Sequence, residues 1–395
     1  MNSQEIIDLT QQYVMNTYNR LPVALVKGKG NYVWDADGKK YLDFFSGLAV
    51  DNLGHSHPRI LHALATQAQK LIHVSNVFAI DQQAKLAELL VKNSFGDKVF
   101  FCNSGAEANE GAVKLARKYS KKKFGDHKYE VITMKNSFHG RTLAMMTATG
   151  QEKYQKGFEP LMPGFKYAEF GNISSLREVV SDATCAVLVE PIQGEGGVQI
   201  PPKDYFRTLR DFCHEKKLLL ILDEVQVGIG RTGKLFAYEH FGIQPDMMTL
   251  AKALASGLPI GALVARDFVA EAFQPGDHAS TFGGNPLVTA VGCATLETIL
   301  EDKLLPHTQE VGDYFIKQLK QMAVECPTIQ EVRGLGLILA IDLDQPARPI
   351  VLKCLEKGFL INAVQEKTLR ILPSLVVTKK EIDEALKILK EVLSK

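Results

Sequence analysis

Between about residues 98 and 265 the sequence alternates short apolar runs with stretches of helical amphipathicity, and few folds accept that rhythm. The runs are 98–102, 129–135, 185–189, 218–222, 247–250 and 260–265, and helical pattern fits 106–121, 203–216 and 267–273. A run such as Leu218-Leu-Leu-Ile-Leu222 shows no polar alternation, which predicts a strand buried on both faces. Strands alternating with helices predict an α/β fold whose large domain carries a mainly parallel sheet flanked by helices. Such sheets hold ligands at the carboxyl ends of their strands. The residues just after each run are therefore the first candidates for a site.

The flanking regions read differently. A helix is expected over 4–17, then a strand-rich unit over 31–34 and 40–44 around the turn at 35–38, then helices over 58–71 and 81–93. After Pro286 a helical stretch runs to about 323, followed by strands at 330–343, 358–364 and 368–372 and a helix at 379–393. This predicts a smaller α+β domain. The expected division is an N-terminal segment, 1–50, that joins the small domain; a large ligand-binding domain, 51–285; and a C-terminal small domain, 286–395.

Charge and cysteine usage exclude several functions. Lys plus Arg number 46 and Asp plus Glu 45, giving a net charge of +1, so there is no field to draw nucleic acid or an anionic membrane. The run Lys121-Lys-Lys123 is read as solvated surface. No apolar run approaches the roughly 18 residues of a membrane helix, and the N-terminus lacks a basic-then-apolar leader. A cytoplasmic protein is expected. The six cysteines are scattered without a Cys-x-x-Cys pair, which predicts reduced core thiols. His55-Ser-His57 has no nearby acid or cysteine cluster, so it is read as part of a turn and no metal is expected.

Three strand ends carry chemistry. The first run leads into Asn103-Ser-Gly-Ala106 and a helix, whose free N–H groups and dipole suit a phosphate; Gly105 permits close backbone approach. The competing reading is a helix capped by Ser104. Asp223 closes the 218–222 run, placing a carboxylate where it needs a cation; a protonated pyridinium nitrogen is one such cation. Lys252 follows the 247–250 run, where shielding would lower its pKa and make a Schiff-base amine. Each alone has a bland reading, as a cap, a surface acid or a snorkelling lysine. Their order along the chain is harder to obtain by chance.

With these residues in place, the whole chain resembles the class III, ornithine-type aminotransferases among the fold-type I pyridoxal-phosphate (PLP) enzymes. The likeness runs through Tyr18-Asn-Arg-Leu-Pro-Val23, Trp34-Asp-Ala-Asp-Gly38, Leu53-Gly-His-Ser-His-Pro58, Asn136-Ser-Phe-His-Gly-Arg141, Glu190-Pro-Ile-Gln-Gly-Glu-Gly-Gly197, Leu222-Asp-Glu-Val-Gln226, Ser280-Thr-Phe-Gly-Gly-Asn-Pro286 and Arg370-Ile-Leu-Pro-Ser-Leu375. The segments Gly47-Leu-Ala-Val50 and His73-Val-Ser-Asn-Val77 look most like the acetylornithine branch, whereas Tyr18 is shared with ornithine enzymes, which use such a tyrosine for a free α-amino group.

By resemblance, Lys252 would carry PLP and shuttle protons, Asp223 would hold its ring nitrogen, Gln226 would reach its phenolic oxygen, and Phe138 would stack on its ring. Gly105 and Ala106 would donate N–H groups to the phosphate, and Thr281 would reach the phosphate of a partner subunit, implying a homodimer. Ala106 stands where many relatives have threonine, so phosphate binding is expected to be slightly weaker. Arg141, with Ser280 nearby, would grip the α-carboxylate of N2-acetylornithine. Arg370 would bind the α-carboxylate of 2-oxoglutarate or glutamate, a role suited to a planar fork. Glu195 would act as a switch, pairing with Arg370 while the amino donor is bound. His139 would support its loop.

Gly228-Ile-Gly-Arg-Thr-Gly-Lys234 fits Gly-x-Gly-x-x-Gly and nearly fits a P-loop. Position 235 is Leu rather than a magnesium-binding hydroxyl, and Pro245 cuts short any following helix, so nucleotide binding is set aside. A binding protein that has lost its chemistry is disfavoured by the joint presence of Lys252, Asp223, Gln226 and both arginines.

Overall fold

The protein is described from a computed structural model covering residues 1–394. Its centre is a seven-stranded sheet in the order Lys98–Cys102, Gly261–Ala265, Met247–Leu250, Leu219–Asp223, Thr184–Val189, Glu130–Met134 and Phe165–Ala168. Gly261–Ala265 is antiparallel to both of its neighbours, and the pairs among the remaining adjacent strands are parallel. The three middle strands, Thr184–Val189, Leu219–Asp223 and Met247–Leu250, are buried at every residue. That follows from their unbroken Leu, Ile, Val and Met composition and from helices such as Gly105–Phe124 and Tyr205–Lys216. Each fully buried Leu or Ile contributes roughly 1.5–3 kcal/mol.

All six predicted central runs fall within one residue of observed strands, and 98–102 and 247–250 are matched at both ends. Phe165–Ala168 went unpredicted because it is an edge strand, half-buried at three of four positions, so no continuous apolar run marks it. Leu25–Lys29 escaped for the same reason. The helix expected over 4–17 ends at Tyr13, and that over 267–273 is only Asp267–Ala270. The stretch predicted to run to 323 is two helices, Pro286–Glu301 and Leu304–Glu325, separated at Asp302 and at Lys303, whose φ is 54°.

Ile329–Leu335 and Ile338–Leu343 form a hairpin turned at Gly336, where the single segment 330–343 was expected. The expected strand 358–364 divides between two sheets. Phe359–Leu360 lies parallel to Lys40–Asp43, while Asn362–Val364 pairs with Thr368–Ile371. Through Phe359–Leu360 the N-terminal strands are stitched to the C-terminal part of the chain.

The glycine-rich loop at 228–234 is a latch. Arg231 is fully buried and donates to the carbonyls of Leu337 and Pro373 and to Asn52 Oδ1. A Cβ on Gly336 would collide with the backbone of Thr232. His55 hydrogen-bonds Asp43, and Ser56 the Gly28 carbonyl, tying down the turn. All six cysteines are buried and unbridged. Among the described residues no helix is long and apolar enough to cross a membrane.

Candidate active site

A cavity of about 440 Å³ opens at the carboxyl edge of the central sheet. It collects residues that follow five different strands: Ser104, Gly105 and Ala106; Phe138 to Arg141; Glu190; Asp223 and Gln226; and Lys252. A larger groove, about 900 Å³, lies at the opposite edge beside Leu218, Asp246 and Arg266. The cavity is the better candidate, because it alone sits where strand ends and a helix start converge.

The helix Gly105–Phe124 opens with Ser104, whose Oγ accepts the Glu107 N–H at 3.2 Å. Glu107 returns to the loop, accepting from the Asn103 N–H at 2.7 Å and from Asn103 Nδ2 at 3.0 Å. The capping and phosphate readings are therefore compatible: the cap satisfies the Glu107 amide, while the Gly105 and Ala106 N–H groups have no intrahelical acceptor. A Cβ on Gly105 would come 2.7 Å from Val225 Cγ1, and one on Gly140 2.6 Å from Ala106 Cβ. Glycine at both points lets three loops meet.

Asp223 is 4% exposed. Its Oδ2 accepts from Asn109 Nδ2 at 2.7 Å and lies 2.8 Å from His139 Nδ1; its Oδ1 accepts from the Val225 N–H at 3.0 Å. Lys252 follows Met247–Leu250 with a positive φ of 45°, a conformation that costs about 1–2 kcal/mol outside glycine. Burial pushes its ammonium below the ordinary lysine value, against the opposing pull of Glu195 and Asp223. Glu190 accepts from the Phe138 N–H at 3.1 Å; burial first, and then the Asp223 charge, push its carboxyl well up towards the neutral form.

Arg370 is fully buried on Thr368–Ile371. Its Nη1 donates to Glu195 Oε1 at 2.6 Å and to Gln226 Oε1 at 3.0 Å, and its Nε reaches Asn362 Oδ1 at 3.3 Å. Its Nη2 is buried without a partner. Burial alone would raise the Glu195 carboxyl, but the charge and hydrogen bond of Arg370 outweigh it and hold Glu195 below the ordinary range. Arg141, by contrast, is exposed. Its guanidinium lies 4.0 Å from the Tyr154 ring centroid and 5.5 Å from that of Phe138, and no carboxylate among the described residues pairs with it.

Most of the candidate residues thus converge. Ser280 sits just outside the cavity wall, its Oγ accepting from Asn103 Nδ2 at 3.2 Å. Thr281 is exposed and does not line this chain's cavity. Tyr18 is 71% exposed, stacked near Arg20, and does not line it either. Sequence reasoning overlooked Glu190 and Asn109 and gave His139 only a loop role. Glu190 was findable, since it follows the 185–189 run as Asp223 follows 218–222. Asn109 is four residues after Gly105, on the same helix face.

The whole chain is similar to known proteins. The family model for aminotransferase class-III matches residues 13–393. An acetylornithine aminotransferase of Caldanaerobacter subterraneus is 54% identical, with 98% of this chain and 99% of the relative covered; one of Methanocaldococcus jannaschii is 50% identical, with 100% and 99% covered. Among solved structures, an ornithine aminotransferase from Toxoplasma gondii has a TM-score of 0.96 at 34% identity, covering 100% of this chain and 95% of that one. An acetylornithine aminotransferase from Elizabethkingia anophelis has a TM-score of 0.90 at 35% identity, covering 100% and 99%. A family match over nearly the whole length, on a sheet whose strand ends hold a half-buried lysine and a buried aspartate, with a buried arginine brought in from the C-terminal sheet, leaves one assignment: this chain is a class-III aminotransferase, an enzyme of the PLP-dependent kind.

Proposed function

We propose that this chain exchanges the terminal amino group of N2-acetylornithine with the oxo group of 2-oxoglutarate, giving N-acetylglutamate 5-semialdehyde and glutamate, a step of arginine biosynthesis. The relatives at about 50% identity that bear the acetylornithine name support this donor. The observation that carries the two-substrate reading is the buried Arg370–Glu195 pair beside Lys252. A fully buried arginine with one partnered and one unpartnered terminal nitrogen offers a fork for a carboxylate, and Glu195 can neutralise it when that carboxylate is absent.

The cavity residues fit PLP by their chemistry. Gly105 and Ala106 would hold its phosphate at the helix start, Asp223 its ring nitrogen, Phe138 a ring face, and Lys252 its aldehyde carbon. Gln226 would reach its phenolic oxygen while keeping its bond to Arg370. When bound, PLP supplies an electron sink for the carbon that loses a proton. Lys252 Nζ would be the group that holds and moves a proton beside the donor's terminal carbon, and its lowered pKa favours the free amine that such a base requires. Arg141, propped on Tyr154, would bind the donor's α-carboxylate, with Ser280 nearby. Burial and the nearby Asp223 charge push the Glu190 carboxyl towards its neutral form, which opposes a second negative charge beside Asp223.

A homodimer is part of this proposal. Thr281 would reach the cofactor of a partner subunit, in keeping with its exposure next to Phe282, which is 61% exposed. The division into 1–50, 51–285 and 286–395 is likewise proposed. Ornithine as donor is the second reading, favoured by the ornithine aminotransferases among the similar structures; the exposed position of Tyr18 lends it no support from within this chain.

Arg370→Lys tests the assignment. Losing the fork should raise KM for 2-oxoglutarate about tenfold or more and leave the half-reaction with N2-acetylornithine far less affected. Equal losses in both half-reactions would contradict the role of Arg370.

A further inference from the structure

Asp223 does not owe its orientation to its own strand alone. Two side chains from other elements converge on Oδ2: Asn109 at 2.7 Å and His139 at 2.8 Å. The hydrogen-bond network fixes both. A carboxylate oxygen can only accept, so His139 donates to it from Nδ1, while its Nε2 is buried without a partner. Asn109 uses both Nδ2 hydrogens, one to Asp223 and one to the His139 carbonyl at 2.9 Å, while its Oδ1 accepts the Thr249 hydroxyl at 2.7 Å. Turning the amide over would set its oxygen against a carboxylate oxygen and leave Thr249 without an acceptor. All four residues are buried, so water cannot replace a lost bond.

The location of this amide is as informative as its bonds. Asn109 lies one turn into the helix that begins at Gly105 and Ala106. Thr249 lies on Met247–Leu250, three residues before Lys252, and its carbonyl accepts the Glu224 N–H at 3.0 Å. One side chain therefore connects the helix start, the acid and the strand that delivers the lysine.

We propose that Asn109, oriented by the Thr249 hydroxyl, is a positioning residue that keeps the Asp223 carboxylate aimed at the ring nitrogen of PLP. The inference rests on the reading of Asp223 given above. Asn109 borders the same cavity, but the role proposed for it acts through Asp223, whose Oδ2 it holds. A merely structural asparagine would affect stability and nothing else.

The test uses the PLP-loaded protein and reads two quantities other than turnover: the PLP dissociation constant, and the pH midpoint of the visible band of the lysine-bound cofactor. A positive charge on the ring nitrogen lowers the basicity of the nitrogen joining Lys252 to the cofactor. Loosening Asp223 weakens that charge and should raise the midpoint. Asn109→Leu and Thr249→Val should each weaken PLP binding about tenfold, the scale of a lost hydrogen bond to a charged group, and shift the midpoint upward. Thr249→Ser, which retains the hydroxyl, should restore both. Thr249→Val is nearly isosteric and decides the matter if Asn109→Leu does not fold. A midpoint and affinity unchanged in Thr249→Val would overturn the proposal while leaving the wild-type band, and so the reading of Lys252 and Asp223, intact. A wild type that takes up PLP without any such band would overturn both.

Discussion

Lys252 is surrounded by Glu195, Asp223, Glu190 and Arg370, yet burial is the largest influence on its charge and drives its pKa below 10.5. The free amine is the form that attacks an aldehyde, so the rate at which cofactor-free protein takes up PLP should rise with pH as Lys252 deprotonates. Stopped-flow uptake measured across pH should level off at a midpoint below 10.5; a midpoint at or above that value would mean the amine is not shielded. At this scale Lys252 and Asp223 were legible because each occupies a strand end that declares itself by apolar composition, whereas Arg370 was legible only through the family resemblance, since a lone arginine on a short strand reads as a surface ion pair. Asn109 and His139 were not, since their part in the site depends on Asp223, which lies 114 and 84 residues further along. Nothing local distinguishes them from a helix-surface amide and a loop imidazole. Tyr18 illustrates the reverse: its motif is plain in the sequence, but an exposed tyrosine in an irregular segment takes no place in this chain's cavity.

At the scale of elements, strand ends and tight loops position the charges. Glu195 lies in a loop clamped from the C-terminal part of the chain: Gln365 Nε2 donates to the Glu195 carbonyl at 2.8 Å, and Arg333 Nε donates to the carbonyls of Gly197 and Val198 at 3.0 and 3.2 Å. With its backbone held, Glu195 can leave Arg370 only by turning its side chain. The loop's glycines are required by contact, since a Cβ on Gly194 would overlap Gln226 Oε1. Gly194→Ala should push Gln226 off Arg370 and lower kcat/KM for 2-oxoglutarate at least tenfold, the scale of a lost charge-assisted bond. Steady-state kinetics at varied 2-oxoglutarate would check this, and an unchanged value would show that Gln226 does not support the fork. The elements themselves were legible where they are buried or strongly amphipathic. The half-buried Phe165–Ala168 edge was not, and neither was the division near 302, where no glycine marks the break. Pro306, early in the second helix, was the one available signal there.

At the scale of the whole molecule, the central sheet delivers the ligand-facing residues and the C-terminal strands deliver Arg370, so the cavity needs both parts of the chain. The stitching of Phe359–Leu360 to Lys40–Asp43 holds the N-terminal strands to that C-terminal part. The account predicts an enzyme that carries PLP on Lys252 and accepts a terminal amino group from a donor whose α-amino group is acetylated. The most direct measurement mixes the PLP-loaded protein with N2-acetylornithine, and separately with ornithine, without any oxo acid, and follows the visible band of the lysine-bound cofactor. Rapid loss of the band with N2-acetylornithine and slow loss with ornithine is the predicted result. Faster loss with ornithine would contradict the proposed donor, and the absence of any band would contradict the role of Lys252 itself.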